Sequence, residues 1–197
     1  MKLLREYIRE LLTEAAKGPA DLPEDVFVEI VDQGEHAAVR YVKKNPDDGR
    51  YYNAESLDGR VAIMRPDHPC GDAWEVVLSR APRGWGPMLY DVAMEWATQN
   101  GGGLVSDRSS VSPSAREVWN YYLSKRGDVQ SVQLDDLKNT ITPEEEDNCK
   151  QHSSTVGRDG MGIPKTLDFQ ESPLSKRYTK APTTMNSLEA AGKLVIR

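Results

Sequence analysis

The run "AWEVVLSRAPRGWGPMLYDVAMEWATQNGGGLVS", Ala73 to Ser106, constrains the fold more than any other part of the chain. It opens with a short apolar segment of β pattern. It then passes through a turn bearing Pro82, Gly84 and Gly86 and continues with helical period, placing Met88, Leu89, Val92, Ala93, Trp96 and Ala97 on one face. Three glycines (101–103) stop the helix, and "LVS" (104–106) reads as a short buried strand. A strand, a tight glycine turn, an amphipathic helix and another strand define a sheet with a helix packed on it.

The flanking segments extend that sheet. "VFVEIV" (26–31) and "AAVRYVKK" (37–44) alternate across the short turn "DQGEH" and predict a hairpin. "NPDDGR" is a turn, "YYNAES" a further strand or edge, and "RVAIM" (60–64) a short apolar strand. "SPSAREVWNYYLSKRG" predicts a second helix, capped by Ser112, with Pro113 at its first position and Val118, Trp119, Tyr122 and Leu123 on its buried face. "DVQSVQL" (128–134) is a last alternating strand. From Asp135 the chain turns polar. Short helices are expected at "TPEEEDNCKQH" and at "NSLEAAGKL", capped by Asn186, with an extended or disordered arm between them. "MKLLREYIRELLTEAAKG" is an amphipathic helix by period, stopped by Gly18 and Pro19.

The predicted fold class is therefore α+β: a mixed, mostly antiparallel sheet flanked by helices, three-layered like an α/β protein. The expected organisation is a leader helix over 1–18, a linker over 19–25, a domain over 26–134 and a polar extension with short helices over 135–197.

Charge and cysteine usage narrow the function classes. A formal net charge of −6 disfavours nucleic acid, whose binding draws on counterion release by Lys and Arg. No apolar run approaches the roughly 18–20 residues of a membrane span. The N-terminal helix carries Glu6 and Glu10 among its apolar residues and does not read as a secretory signal. Cys70 and Cys149 are accordingly expected as thiols in a reducing compartment, without a disulfide framework. His68 with Cys70, and Cys149 with His152, each lack the second pair of a closed zinc site, so no metal is expected.

The glycine turn has two readings. Gly84 and Gly86 lack Cβ atoms, so a ligand can approach the backbone, and the following helix presents unpaired N–H groups and the positive end of its dipole. Arg80 and Arg83 add cations, and a pyrophosphate fits such a place. The alternative is a turn that packs a helix on a sheet.

The residues from Val61 to Leu134 resemble the GNAT (GCN5-related) N-acyltransferases, in their run of strand, glycine loop, helix, short strand and helix. That family's motif, Gln/Arg-x-x-Gly-x-Gly/Ala, grips the pyrophosphate of acetyl-CoA. Here Ala81 stands at the motif's first position, Pro87 follows its second glycine, and the helices that usually separate the first two strands are replaced by "DQGEH". The resemblance implies acetyl-CoA as co-substrate, contacted by Leu78, Arg80, Arg83, Gly84, Trp85 and Gly86, with the N–H near Leu78 orienting the acyl carbonyl. It also implies direct attack of an amine on the thioester, with Glu75 as base and Tyr121 or Tyr122 as acid. Glu75 has a second reading as a charge on a solvent-facing strand, and Tyr122 as a core aromatic sharing a face with Trp119. Asp107 and Arg108, after the short strand, read as a salt bridge or a helix-start contact.

"LLTEAA" in the first helix resembles the leader of internal head proteins of large tailed phages, which directs a protein into the prohead and is cut after Leu/Ile-x-Glu. That resemblance implies capsid or prohead partners, a cut between Glu14 and Ala15, and a location in the host cytoplasm or virion interior. An ordinary docking helix is the alternative. Three functional readings follow: an acetyl-CoA-dependent N-acetyltransferase of phage origin with an unidentified amine acceptor; a virion or interaction protein that keeps the fold without catalysis; and an unrelated α+β binding module.

Overall fold

The computed structural model describes residues 16–67, 69–136, 139–151, 156–158, 164–166 and 169–197, the two three-residue stretches by their backbone alone. The expected leader helix, with Glu14 and Ala15, lies outside the described residues, as does His68.

The fold is mixed α+β. The described strands are β1 (Val26–Asp32), β2 (His36–Lys44), β3 (Tyr51–Asn53), β4 (Arg60–Met64), β5 (Trp74–Arg80), β6 (Leu104–Val105), β7 (Val129–Gln133), β8 (Val156–Arg158), β9 (Pro164–Thr166), β10 (Lys176–Lys180) and β11 (Leu194–Ile196). The described helices are α1 (Gly86–Gln99), α2 (Pro113–Lys125) and α3 (Thr183–Ala190). The main sheet runs β11-β1-β2-β4-β5-β6-β10-β7, with β3 on β2, and β8 pairs with β9 separately. Pairing is mostly antiparallel; β1 with β11 and β5 with β6 are parallel. No described helix is long and apolar enough to cross a membrane.

The chain divides into two compact units. The first holds residues up to Ala62, Leu78–Ala93 and Pro182–Arg197. Its centre is the expected β1–β2 hairpin, registered from Val26↔Lys43 to Asp32↔Ala37. Val26, Val28 and Ile30 are fully buried on one face, as alternation requires. Glu29, on the opposite face, is also buried and is neutralised by Arg40 at 2.7 Å and Arg197 at 3.3 Å. Gly34, at φ 79°, makes the turn, and its N–H donates to the Asp32 carboxylate at 2.9 Å. The C-terminus is part of this core: β11 pairs with β1, and α3 buries Met185 and Leu188.

The second unit holds Ile63–Val77 and Met94–Ala181. β10 pairs with β6 through Tyr178↔Leu104 and with β7 from Lys176↔Gln133 to Lys180↔Val129. The Ser112 hydroxyl caps α2, accepting from the Ala115 N–H at 3.2 Å, and Pro113 opens the helix as expected. Trp119 and Tyr122 are its buried residues, with Val118 and Leu123 half-buried.

Three expectations are corrected here. Cys70 and Cys149 are joined in a disulfide, both fully buried with Ala73, Val105 and Leu134. The segment 142–151 is not helical: the Ile141 and Thr142 N–H groups donate to the buried Asp135 carboxylate at 2.7 and 2.8 Å, and Cys149 N–H to the Asp135 carbonyl at 2.8 Å. The donors that would open a helix are thus spent on an upstream carboxylate. Lastly, the stretch read as an irregular arm carries β10, and α3 begins at Thr183 rather than after Asn186.

Candidate functional site

The glycine turn belongs to the first unit. Gly84 sits at φ 82°, a left-handed conformation that favours glycine. The Trp85 N–H closes the turn on the Pro82 carbonyl at 3.1 Å. The Trp85 carbonyl accepts from the Tyr41 hydroxyl at 2.7 Å, and the two rings meet edge to face, with centroids 5.7 Å apart. Burial pushes the Tyr41 phenol far up, so it stays a donor. On the other side the Lys17 N–H donates to the Gly84 carbonyl at 2.9 Å. Trp85 is therefore a packing residue as well as a candidate ligand neighbour.

Gly86 differs from Gly84. A Cβ built on it would find its nearest neighbour, the Ala81 Cβ, at 3.7 Å, which is ordinary contact, and its φ is not positive. Neither its conformation nor packing among the described residues calls for glycine there. It opens α1, where the first N–H groups have no helical acceptor. Pro87 removes one of these donors. Arg83 is exposed beside the turn. Arg80 is ion-paired with Asp58 at 2.8 Å, both side chains more than half exposed, so the pair is weak and can be exchanged for a ligand. Leu78, on β5, is 47% exposed. The β5–β6 ladder covers only Trp74↔Leu104 and Glu75↔Val105, so β5 runs past it into the turn.

Glu75 and both candidate tyrosines belong to the second unit. Glu75 is half-buried, and its Oε1 accepts from the Arg108 N–H at 2.6 Å. Burial raises its pKa, against the lowering effect of that hydrogen bond; the carboxylates of Asp107 and Asp67 push the same way as burial. A base with a raised pKa holds a proton more readily near neutral pH. Asp107 accepts from the Ser109 and Ser110 N–H groups, both at 2.7 Å, and shapes the loop.

Arg108 is 4% exposed. Its guanidinium is ringed by oxygens: the Leu174 carbonyl at 2.8 Å, the Cys149 carbonyl at 2.9 Å, and the Lys150 carbonyl and Ser106 hydroxyl at 3.4 Å. Burial pushes its pKa down to about 10, so it remains charged at neutral pH. The sequence suggests a salt bridge or a helix-start contact for Arg108, and shows neither this cage nor the backbone contact with Glu75. Carbonyls carry no sequence signature, and the residues that supply them lie far along the chain.

Tyr122 is 2% exposed and packs with Trp119, the ring centroids 6.4 Å apart, which makes it a core aromatic. Tyr121 is half-buried. Arg126 lies over both rings, at 5.9 Å from Tyr121 and 5.3 Å from Tyr122, and is held by two 2.8 Å bonds to Asp128. The contacts of Glu75 thus lead to Arg108, and those of the tyrosines to Trp119 and Arg126. Among the described residues no group of three or more His, Cys, Asp or Glu could hold a metal ion. The disulfide also removes the thiolates that a zinc reading would need.

No protein-family model matches the chain, and neither a curated protein nor a solved structure matches it significantly.

Proposed function

We propose that the chain is a GNAT-like N-acetyltransferase that uses acetyl-CoA and an amine acceptor. The order β5, turn, α1, β6, α2 supports the fold part of this reading. The observation that carries the ligand part is Gly86, a glycine at a helix start that neither its φ nor the described residues around it require.

The Gly86 and Met88 N–H groups and the Arg83 guanidinium bind the pyrophosphate, with Gly84 shaping the loop and Trp85 and Arg80 flanking it. The Leu78 N–H orients the acyl carbonyl. Glu75 takes the proton of the acceptor amine, directly or through water, as the nitrogen attacks the thioester carbon. The carbon–sulfur bond breaks, and Tyr121 protonates the leaving thiolate; Tyr122 is too enclosed for that role. The leader resemblance adds packaging in a phage head, with a cut between Glu14 and Ala15 that mass spectrometry of virion protein detects; an intact Met1 there sinks it.

A second reading keeps the fold without catalysis. It draws on the Arg80–Asp58 pair and on the enclosure of Tyr122, which occupy two residues of the site with structural contacts.

Acetyl-CoA titration with thermal unfolding tests both. Ligand at 100 times its dissociation constant adds about 2.7 kcal/mol of stability. Absence of any shift at millimolar acetyl-CoA overturns the first reading. A shift, followed by thiol release with an amine panel that Glu75→Gln abolishes, supports it. A shift with no thiol release from any amine favours the second.

A further inference from the structure

We propose that Arg108 is the positioning residue of Glu75 and that the Cys70–Cys149 disulfide sets it in place. Glu75 receives the Arg108 backbone N–H at 2.6 Å. The conformation that aims this N–H depends on where the Arg108 side chain is anchored, and that side chain is enclosed by oxygens from three separated stretches of chain. Two of them, the Cys149 and Lys150 carbonyls, belong to the 140–151 segment, which has neither helix nor strand. Such a segment holds its carbonyls in place only through its ties. These include the Gly71 N–H to the Glu146 carbonyl at 2.6 Å, the bonds of Asp135 with residues 141, 142, 147 and 149, the Gln151 amide to the Ser106 hydroxyl and Asp107 carbonyl at 3.3 Å, and the disulfide to Cys70. The disulfide is the covalent tie, and it ends on the very residue whose carbonyl grips the guanidinium.

A dithiol reverses this. One of its thiolates attacks a sulfur of the Cys70–Cys149 bond to give a mixed disulfide, and its second thiol displaces the protein sulfur. Two protein thiols and an oxidised dithiol result. Residues 145–151 are then freer to leave, the guanidinium loses two acceptors, and the Arg108 N–H is no longer held on Glu75.

The consequence for catalysis rests on the acetyltransferase reading; the structural coupling does not, and it is read separately. In the oxidised protein the Arg108 amide resonance should follow the titration of Glu75, among the neighbouring Asp67 and Asp107 carboxylates, and lose that response in Glu75→Gln. After dithiothreitol, with two thiols counted, the response should vanish and amide exchange at Arg108 should rise about tenfold or more. If acetyl transfer is present, its kcat should fall while acetyl-CoA affinity holds. An unchanged amide response after reduction overturns the proposal. Global unfolding on reduction overturns the disulfide's part. Arg108→Lys in the oxidised protein then decides the rest, since an ammonium cannot span the cage: a retained Lys amide response to Glu75 refutes the positioning role, and a lost one in a folded protein supports it.

Discussion

Helix α1 begins with a glycine and is followed closely by three more, and the two ends use them for different reasons. At the C-terminal end, a Cβ on Gly101 would lie 2.6 Å from the Asp72 carbonyl oxygen, one on Gly102 1.9 Å from the Gly71 oxygen, and one on Gly103 2.4 Å from the Tyr178 oxygen. Those are backbone atoms that cannot swing aside. The Gly102 N–H donates to the Asp72 carbonyl at 2.7 Å and Gly103 sits at φ 111°, so the triplet exists to let three chain segments touch. At the N-terminal end Gly84 is needed for its φ of 82°, while neither the φ of Gly86 nor packing among the described residues requires a glycine. A glycine that packing explains is a structural residue. One that packing among the described residues leaves unexplained, at a helix start, is the place proposed for the ligand.

The largest effect should come from breaking the C-terminal end. Gly102→Ala is expected to cost about 5 kcal/mol or more, by chemical denaturation, because a backbone carbonyl must move. A cost under about 1 kcal/mol would remove the packing explanation. Lys180→Met should follow, at about 3–5 kcal/mol, since Lys180 is 1% exposed on the side chain and pairs with the fully buried Glu95 of the same helix end. Tyr41→Phe acts at the N-terminal end and deletes the bond to the Trp85 carbonyl. It should cost about 1 kcal/mol and weaken acetyl-CoA binding by loosening the turn; unaltered binding would detach Tyr41 from the site.

The acid limb of stability should be gentler. The two Arg126 bonds hold Asp128 at about 2, below its ordinary 3.8. A depressed carboxylate contributes fully above its unfolded value, and the contribution fades as pH falls from 3.8 through about 2. Asp128 is about half exposed, so the effect is small. Asp128→Asn should flatten that limb of the melting curve and leave neutral pH little changed.

Much of the frame is legible from periodicity. The β1–β2 hairpin, β4, β5, α1 and the Ser112-capped α2 all present their apolar residues at the spacing their geometry demands. β10 hides because "KRYTK" places Lys180 on its inward face beside Tyr178, which erases the apolar alternation; the partners Glu95 and Asp128, far upstream, make that lysine sensible. "TPEEED" looks like a helix start because the cap residues are local, whereas the Asp135 carboxylate that takes their donors is not. Of the candidate site, the turn and Glu75 are readable because their residue types carry the signal. The Arg108 cage is not, because it is built from carbonyls, and the disulfide joins residues 79 apart without a spacing pattern.

Gly86→Ala tests the central claim most directly, and it has the smallest structural effect of the series. The new methyl fits, so melting temperature should hold or rise, by about 0.4–1 kcal/mol of stability. Acetyl-CoA affinity, measured by calorimetry, should drop at least about tenfold, equivalent to about 1.4 kcal/mol, because the methyl occupies the ligand's approach to the helix N–H groups. A stable Gly86→Ala protein that binds acetyl-CoA as tightly as the parent, or a parent that does not bind it, would contradict the account.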